Sequence, residues 1–171
     1  SDISKKDTKK LDDLSENNQE QIQILTEQAV QNAENTTEDS ELIANVVSVV
    51  NDDLVNIMVE EVSKVSTEEK QTLSAKVLKA IVDTEPDKIE VINDEIKDTM
   101  IEQTIESAKN QEEGIGIQED EDLTSIVSDI IVNTDTETAS KIIEEVNNTE
   151  TDSNLSLIII SDISKKDTKN I

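Results

Sequence analysis

Residues 123–146, LTSIVSDIIVNTDTETASKIIEEV, decide the fold. Leu123, Ile126, Val127, Ile130 and Ile131 recur every three to four residues and so share one face of a helix. The polar run Asn133-Thr134-Asp135 then marks a turn, and Ala139, Ile142, Ile143 and Val146 repeat the helical spacing. The stretch reads as helix, turn, helix.

The same layout lies on the N-terminal side of it. Leu73, Val77, Leu78 and Ile81 precede Asp83-Thr84-Glu85-Pro86, after which come Ile89, Ile92 and Ile96. Pro86 suits a first helical turn, where its missing N–H would have had no partner. A third copy runs from Leu42 through Val46, Val47, Val49 and Val50, turns at Asn51-Asp52-Asp53 and continues with Ile57, Met58 and Val62. In each copy acidic or hydroxyl side chains at the turn are placed to cap the helix that follows. Ser4 to Leu14 fits the second-helix pattern, with Leu11 and Leu14 in the places of Ile143 and Val146.

These spacings predict helices near 4–15, 17–34, 38–50, 53–64, 67–82, 86–97, 99–110, 119–132, 137–147 and 152–162. Residues 111–118, which hold both glycines, form a flexible loop. Val and Ile also favour strands, and Ile158-Ile159-Ile160 would suit a buried one. The three-to-four-residue period and the scarcity of Gly and Pro decide for helix. The fold class is therefore all-α: short antiparallel helical hairpins stacked as an elongated α-solenoid or superhelix.

A longer period frames the hairpins. Ser1-Asp2-Ile3-Ser4-Lys5-Lys6-Asp7-Thr8-Lys9 recurs identically as Ser161-Asp162-Ile163-Ser164-Lys165-Lys166-Asp167-Thr168-Lys169, and Leu11 then corresponds to Ile171. Nine consecutive identities imply a tandem period of 160 residues, with 1–160 as one unit and 161–171 as the start of the next. The chain is accordingly expected to be a segment of a longer protein. Its repeat-junction and self-association residues would be Ile3, Leu11, Leu14, Leu155, Ile158, Ile159, Ile163 and Ile171.

Composition narrows the function classes. The chain of 171 residues has no Phe, Tyr, Trp, His, Cys or Arg, and its 41 acidic residues against 15 lysines leave a net charge of −26. Such a surface repels phosphate backbones and attracts cations or a basic partner protein, so nucleic acid is disfavoured. A core of Ile, Val, Leu and Ala buries less area per residue than one with aromatic rings, which favours a thin, elongated arrangement. The longest apolar run, Leu157 to Ile160, falls far short of the roughly 20 residues of a membrane span. Without His or Cys, the usual proton-transfer and nucleophilic groups are missing, and an enzyme is not expected.

The helix, Asp/Pro turn, helix pattern of Leu73–Ile96 and Leu123–Val146 resembles the superhelical repeats of the regulatory domain of MgtE-type magnesium transporters and, more loosely, HEAT-like repeats. The resemblance implies a helical solenoid; it is an analogy of fold, not of activity.

Three patterns imitate sites. Asn133-Thr134-Asp135-Thr136-Glu137, with Glu144 at the twelfth position, has the ligand spacing of an EF-hand loop, but Thr138 stands where that loop needs Gly, so a helix cap is expected. Glu119, Asp120, Glu121 and Asp122 are the candidates for weak Ca²⁺ or Mg²⁺ association; no other cofactor is expected. Asn35, Asn147 and Asn154 open Asn-x-Ser/Thr sequons, which so Asn- and Thr-rich a chain forms readily by accident. The expectation is a structural repeat of a cell-surface or extracellular fibre, spacer or adhesin-like protein, whose partners are adjacent copies of itself, as in a homopolymer. The alternative is a scaffold module binding a protein or divalent cations, equally at home in the cytoplasm.

Overall fold

The structure, a computed structural model, describes residues 10, 13, 14, 18–67, 70–115, 121–149 and 155–169. Among these residues there are nine α-helices and no strand: α1 Gln19–Gln31, α2 Thr37–Val47, α3 Asp52–Val65, α4 Leu73–Thr84, α5 Asp87–Val91, α6 Asp94–Glu113, α7 Leu123–Asn133, α8 Thr136–Asn148 and α9 Leu155–Lys169. The all-α class is as the periodicity requires, and Ile158-Ile159-Ile160 lies inside α9.

Short polar side chains start most of these helices. The Thr36 hydroxyl accepts from Asp39 N, the Asn51 amide from Leu54 N, the Asn93 amide from Glu95 N, and the Asp135 carboxylate from Thr138 N at 3.0 Å. Asp122 accepts from both Thr124 N and Ser125 N at the start of α7. Each bond satisfies a backbone donor that the first helical turn leaves without a partner, and each cap is worth about 1 kcal/mol. Gly114 ends α6 with φ 73, the left-handed conformation in which a residue without a Cβ suffers no clash, and Ile115 N donates back to Asn110 O at 2.8 Å.

Several boundaries differ from the sequence reading: the helix expected from 67 starts at Leu73, those expected to end at 34 and 50 end at Gln31 and Val47, and three further differences bear on the packing. Helices at 86–97 and 99–110 were expected; instead the break falls at Ile92 and Asn93, where Ile92 is extended and Asn93 caps, and α6 runs unbroken through 97–99. The loop expected from 111 starts only at Gly114, because Gln111 is still helical. Its side chain bonds Leu123 N and Glu121 O at 2.8 and 2.7 Å and ties the end of α6 to the start of α7. Finally, the helix expected to end at 162 continues to Lys169. No helix-breaking residue or cap stands between Ile160 and Lys169 to stop it.

The helices pack in two successions. In one, α2 packs on α4, α4 on α7 and α7 on α9; in the other, α1 packs on α3, α3 on α6 and α6 on α8. Across the two, α4 and α7 pack on α6, α3 on α4, and α8 on α7. One apolar cluster runs through both, from Ile22 and Val30 to Leu155 and Ile159, with Leu54, Leu73, Leu78, Ile81, Met100, Ile105, Leu123 and Ile130 among its most enclosed members. Helix α4 has neighbours on most sides, and nine of its twelve residues are buried; α1 buries only Ile22 and Val30. The difference follows from position in the succession.

Candidate functional site

Polar side chains clasp each helix to the neighbour before it. Lys76 Nζ on α4 donates to Asn35 O between α1 and α2 at 2.9 Å, and Lys88 Nζ on α5 donates to Val50 O between α2 and α3 at 2.9 Å. Gln103 Nε2 on α6 donates to Ser63 O on α3, and Ser107 Oγ to Gln71 O, both at 2.7 Å. Asn56 on α3 donates to Val91 O at 3.2 Å and accepts from Asn93 N at 2.7 Å, which holds the α5–α6 break in place. Lys141 on α8 lies 3.2 Å from Asp98 and 3.5 Å from Asp94 on α6. These partners are separated along the sequence by 35 to 47 residues. Carbonyl acceptors dominate, so the clasps supply partners to the backbone where helices end.

The clasp on α9 involves the recurring nonapeptide. Lys166 Nζ reaches Asp129 Oδ1 of α7 at 2.7 Å and Ser125 O at 3.1 Å, 41 residues away. Asp129 also lies 3.9 Å from Lys79 of α4, which in turn meets Asp83 at 2.5 Å. A line of alternating charge thus crosses α9, α7 and α4. Burial works against the charge on Lys79, but the hydrogen bond and charge of Asp83, with the fields of Asp129 and Glu121, outweigh it and raise its pKa. Partly exposed pairs of this kind contribute about 0.2–1 kcal/mol each and serve register more than stability.

Beside this line, α2, α4 and α7 enclose an open groove of about 570 Å³ with Lys76 and Lys79 in it and Glu41, Asp83, Glu121 and Asp122 around it. On α6 and α8 a second acidic surface gathers around Glu145. Desolvation and the like charges of Glu102, Glu144, Asp98 and Glu106 push its pKa up.

The predicted site residues disperse. Asp122 caps α7, and Glu121 accepts from the Thr37 hydroxyl; Glu119 and Asp120 lie outside the described residues. Among the described residues no three acidic side chains are grouped to hold a metal. In the EF-hand-like stretch Asp135 caps α8 and Thr138 is buried in the helix, its hydroxyl 3.4 Å from Lys97 Nζ. Burial works against the Asp135 carboxylate, but the hydrogen bonds from Thr138 and Thr134 and the charge of Lys97 hold its pKa below the usual value of 3.8. Of the sequons, Asn35 accepts from Thr72 Oγ1, Asn147 is exposed and Asn154 lies outside the described residues.

Of the expected junction residues, Leu155 and Ile159 are buried inside the chain, Ile158 is half-buried, and Leu14 and Ile163 pack on the edge of the core. Ile3, Leu11 and Ile171 lie outside the described residues. Among the described residues the exposed large apolar side chains are others: Ile24 and Leu25 on α1, Leu42 on α2, Ile115 just after α6, Ile143 on α8, and Leu157 and Ile160 on α9, which are 68% and 62% exposed. Their signal was present in the sequence, since Ile22, Ile24 and Leu25 cannot share one helical face.

The fold and site define an all-α chain whose described helices are packed on one another and joined by polar side chains; no described helix is long and apolar enough to cross a membrane. Comparison with family models, curated proteins and solved structures yields no match. No match therefore supports the resemblance to MgtE-type and HEAT-like repeats, which stands on the sequence pattern of Leu73–Ile96 and Leu123–Val146.

Proposed function

We propose that this chain is one unit of a tandem α-solenoid, a structural repeat stacked end to end in an acidic fibre, spacer or adhesin-like protein at the cell surface or outside the cell. One observation carries the reading: the second copy of the nonapeptide, Ser161 to Lys169, lies in the same unbroken helix as Leu155 to Ile160, and that helix is packed on α7. A unit boundary between 160 and 161 then falls inside a docked helix instead of a linker. The clasp interval supports it too, because four hairpins of about 40 residues make up the 160-residue period. In such a stack each hairpin pairs with the next, copy number sets length, and net charge keeps the polymer extended and soluble.

The test is denaturant unfolding of this chain beside a two-unit chain built on the 160-residue period, with and without millimolar Ca²⁺. Stacking units give the longer chain a higher midpoint and a steeper transition, indifferent to the ion. Equal midpoints contradict the reading. A second reading, a scaffold that binds a basic protein segment or gathers divalent cations, is favoured by the acid-rimmed groove between α2, α4 and α7. It requires a ligand that raises the midpoint of the single unit.

A further inference from the structure

We propose that the exposed apolar residues at the two ends of the helix successions form one head-to-tail joint: Leu157 and Ile160 of α9, with Ile143 of α8, receive Leu42 of α2 and Ile24 and Leu25 of α1 from a second copy of this chain. The inference rests on the stacking reading and names the surfaces that carry it. At about 100° per residue, Leu157 and Ile160 lie roughly 200° and 140° round α9 from the buried Leu155. They face away from the side on which Leu155 and Ile159 are enclosed and Lys166 holds Asp129. Ile24 stands at a similar angle to the buried Ile22 on α1. Helices at the ends of the two successions thus turn aliphatic side chains outward, whereas α4, in the middle, buries nearly all of its own.

Charge supports the same partner. In a chain with 41 acidic residues, the segments that hold Ile24, Leu25, Leu157 and Ile160 carry no charge, Gln21 to Thr26 on α1 and Leu155 to Ser161 on α9, whereas Leu42 and Ile143 stand beside Glu41 and Glu144. Neutral, aliphatic surface on a protein of net charge −26 suits a copy of itself, because it removes like charge from the place where two copies must meet. The repeated nonapeptide sets the register. In a tandem array that counts the next unit from Ser161, the next α1 and α2 follow α8 and α9 in line, and a second copy's α1 and α2 dock on the same outward faces.

The experiment is sedimentation equilibrium on the full chain and two double variants. Leu157→Lys with Ile160→Lys disables one face, and Leu25→Lys with Leu42→Lys disables the other. The parent self-associates with rising concentration into dimers and longer species. Each double variant associates at least about tenfold more weakly, the loss of a buried aliphatic contact. Mixed in equal amounts, the two variants form a heterodimer and nothing longer, since one intact face of each remains. Unchanged helicity by circular dichroism shows that the folds survive, as exposed positions allow. A monomeric parent, variants that associate like the parent, or a mixture that stays monomeric would overturn the joint. A two-unit chain that gains stability while these variants behave like the parent leaves stacking intact and this joint wrong.

Discussion

Gly114 and Asp135 show how much single residues decide. An added Cβ at Gly114 meets nothing within 4 Å, so the cost of Gly114→Ala is purely that of holding Ala at φ 73, about 1 kcal/mol, measurable by urea unfolding. Asp135 and Glu145 give opposite dependences on pH. The Asp135 carboxyl titrates lower in the folded chain than its usual 3.8, so its contribution is complete above that value and is lost as pH falls through the folded value. Glu145 titrates higher than its usual 4.5, so it destabilises at neutral pH and the penalty is relieved as pH falls towards 4.5. Thermal unfolding across pH is therefore expected to show stability rising as pH falls from neutral towards 4.5 and declining as it falls further below 3.8. Glu145→Gln stabilises the chain at pH 7 and flattens the rise. Asp135→Asn keeps the cap and flattens the decline.

At the scale of elements, the clasps fix where helices break and which neighbours they meet. Asn56→Ala removes two bonds at the α5–α6 break and is expected to lower stability by about 1 kcal/mol, with faster amide exchange confined to Asn93, whose N–H Asn56 accepts. Global loss of protection would show that the break is not held locally. Helix existence was legible in the sequence because Ile and Val recur at three to four residues, and the turn at Asn133–Asp135 because Asp135 is a strong cap. The break at Ile92 was not, since it depends on Asn56, 37 residues away from Asn93. The candidate site was legible only in its repeat: the nonapeptide marked the α9 region, but which of its side chains face outward depends on α7 occupying the other side. Leu155 and Ile159 look no different from Leu157 and Ile160 until that neighbour is placed.

For the whole molecule, the central quantity is the balance between short-range aliphatic packing and long-range repulsion from a net charge of −26. Raising salt from about 0.05 M to about 0.5 M shortens the screening length from about 14 Å to about 4 Å, so end-to-end association is expected to strengthen with NaCl. Weakening would mean that ion pairs, not apolar faces, join the copies. Small-angle scattering of the one-unit and two-unit chains shows whether successive units continue one stack, as proposed. The prediction is an unchanged cross-sectional radius with a maximum dimension that grows by one unit's length along a single rigid rod or superhelix. Two separate globular masses joined flexibly, or a rounder particle of larger cross-section, would contradict it.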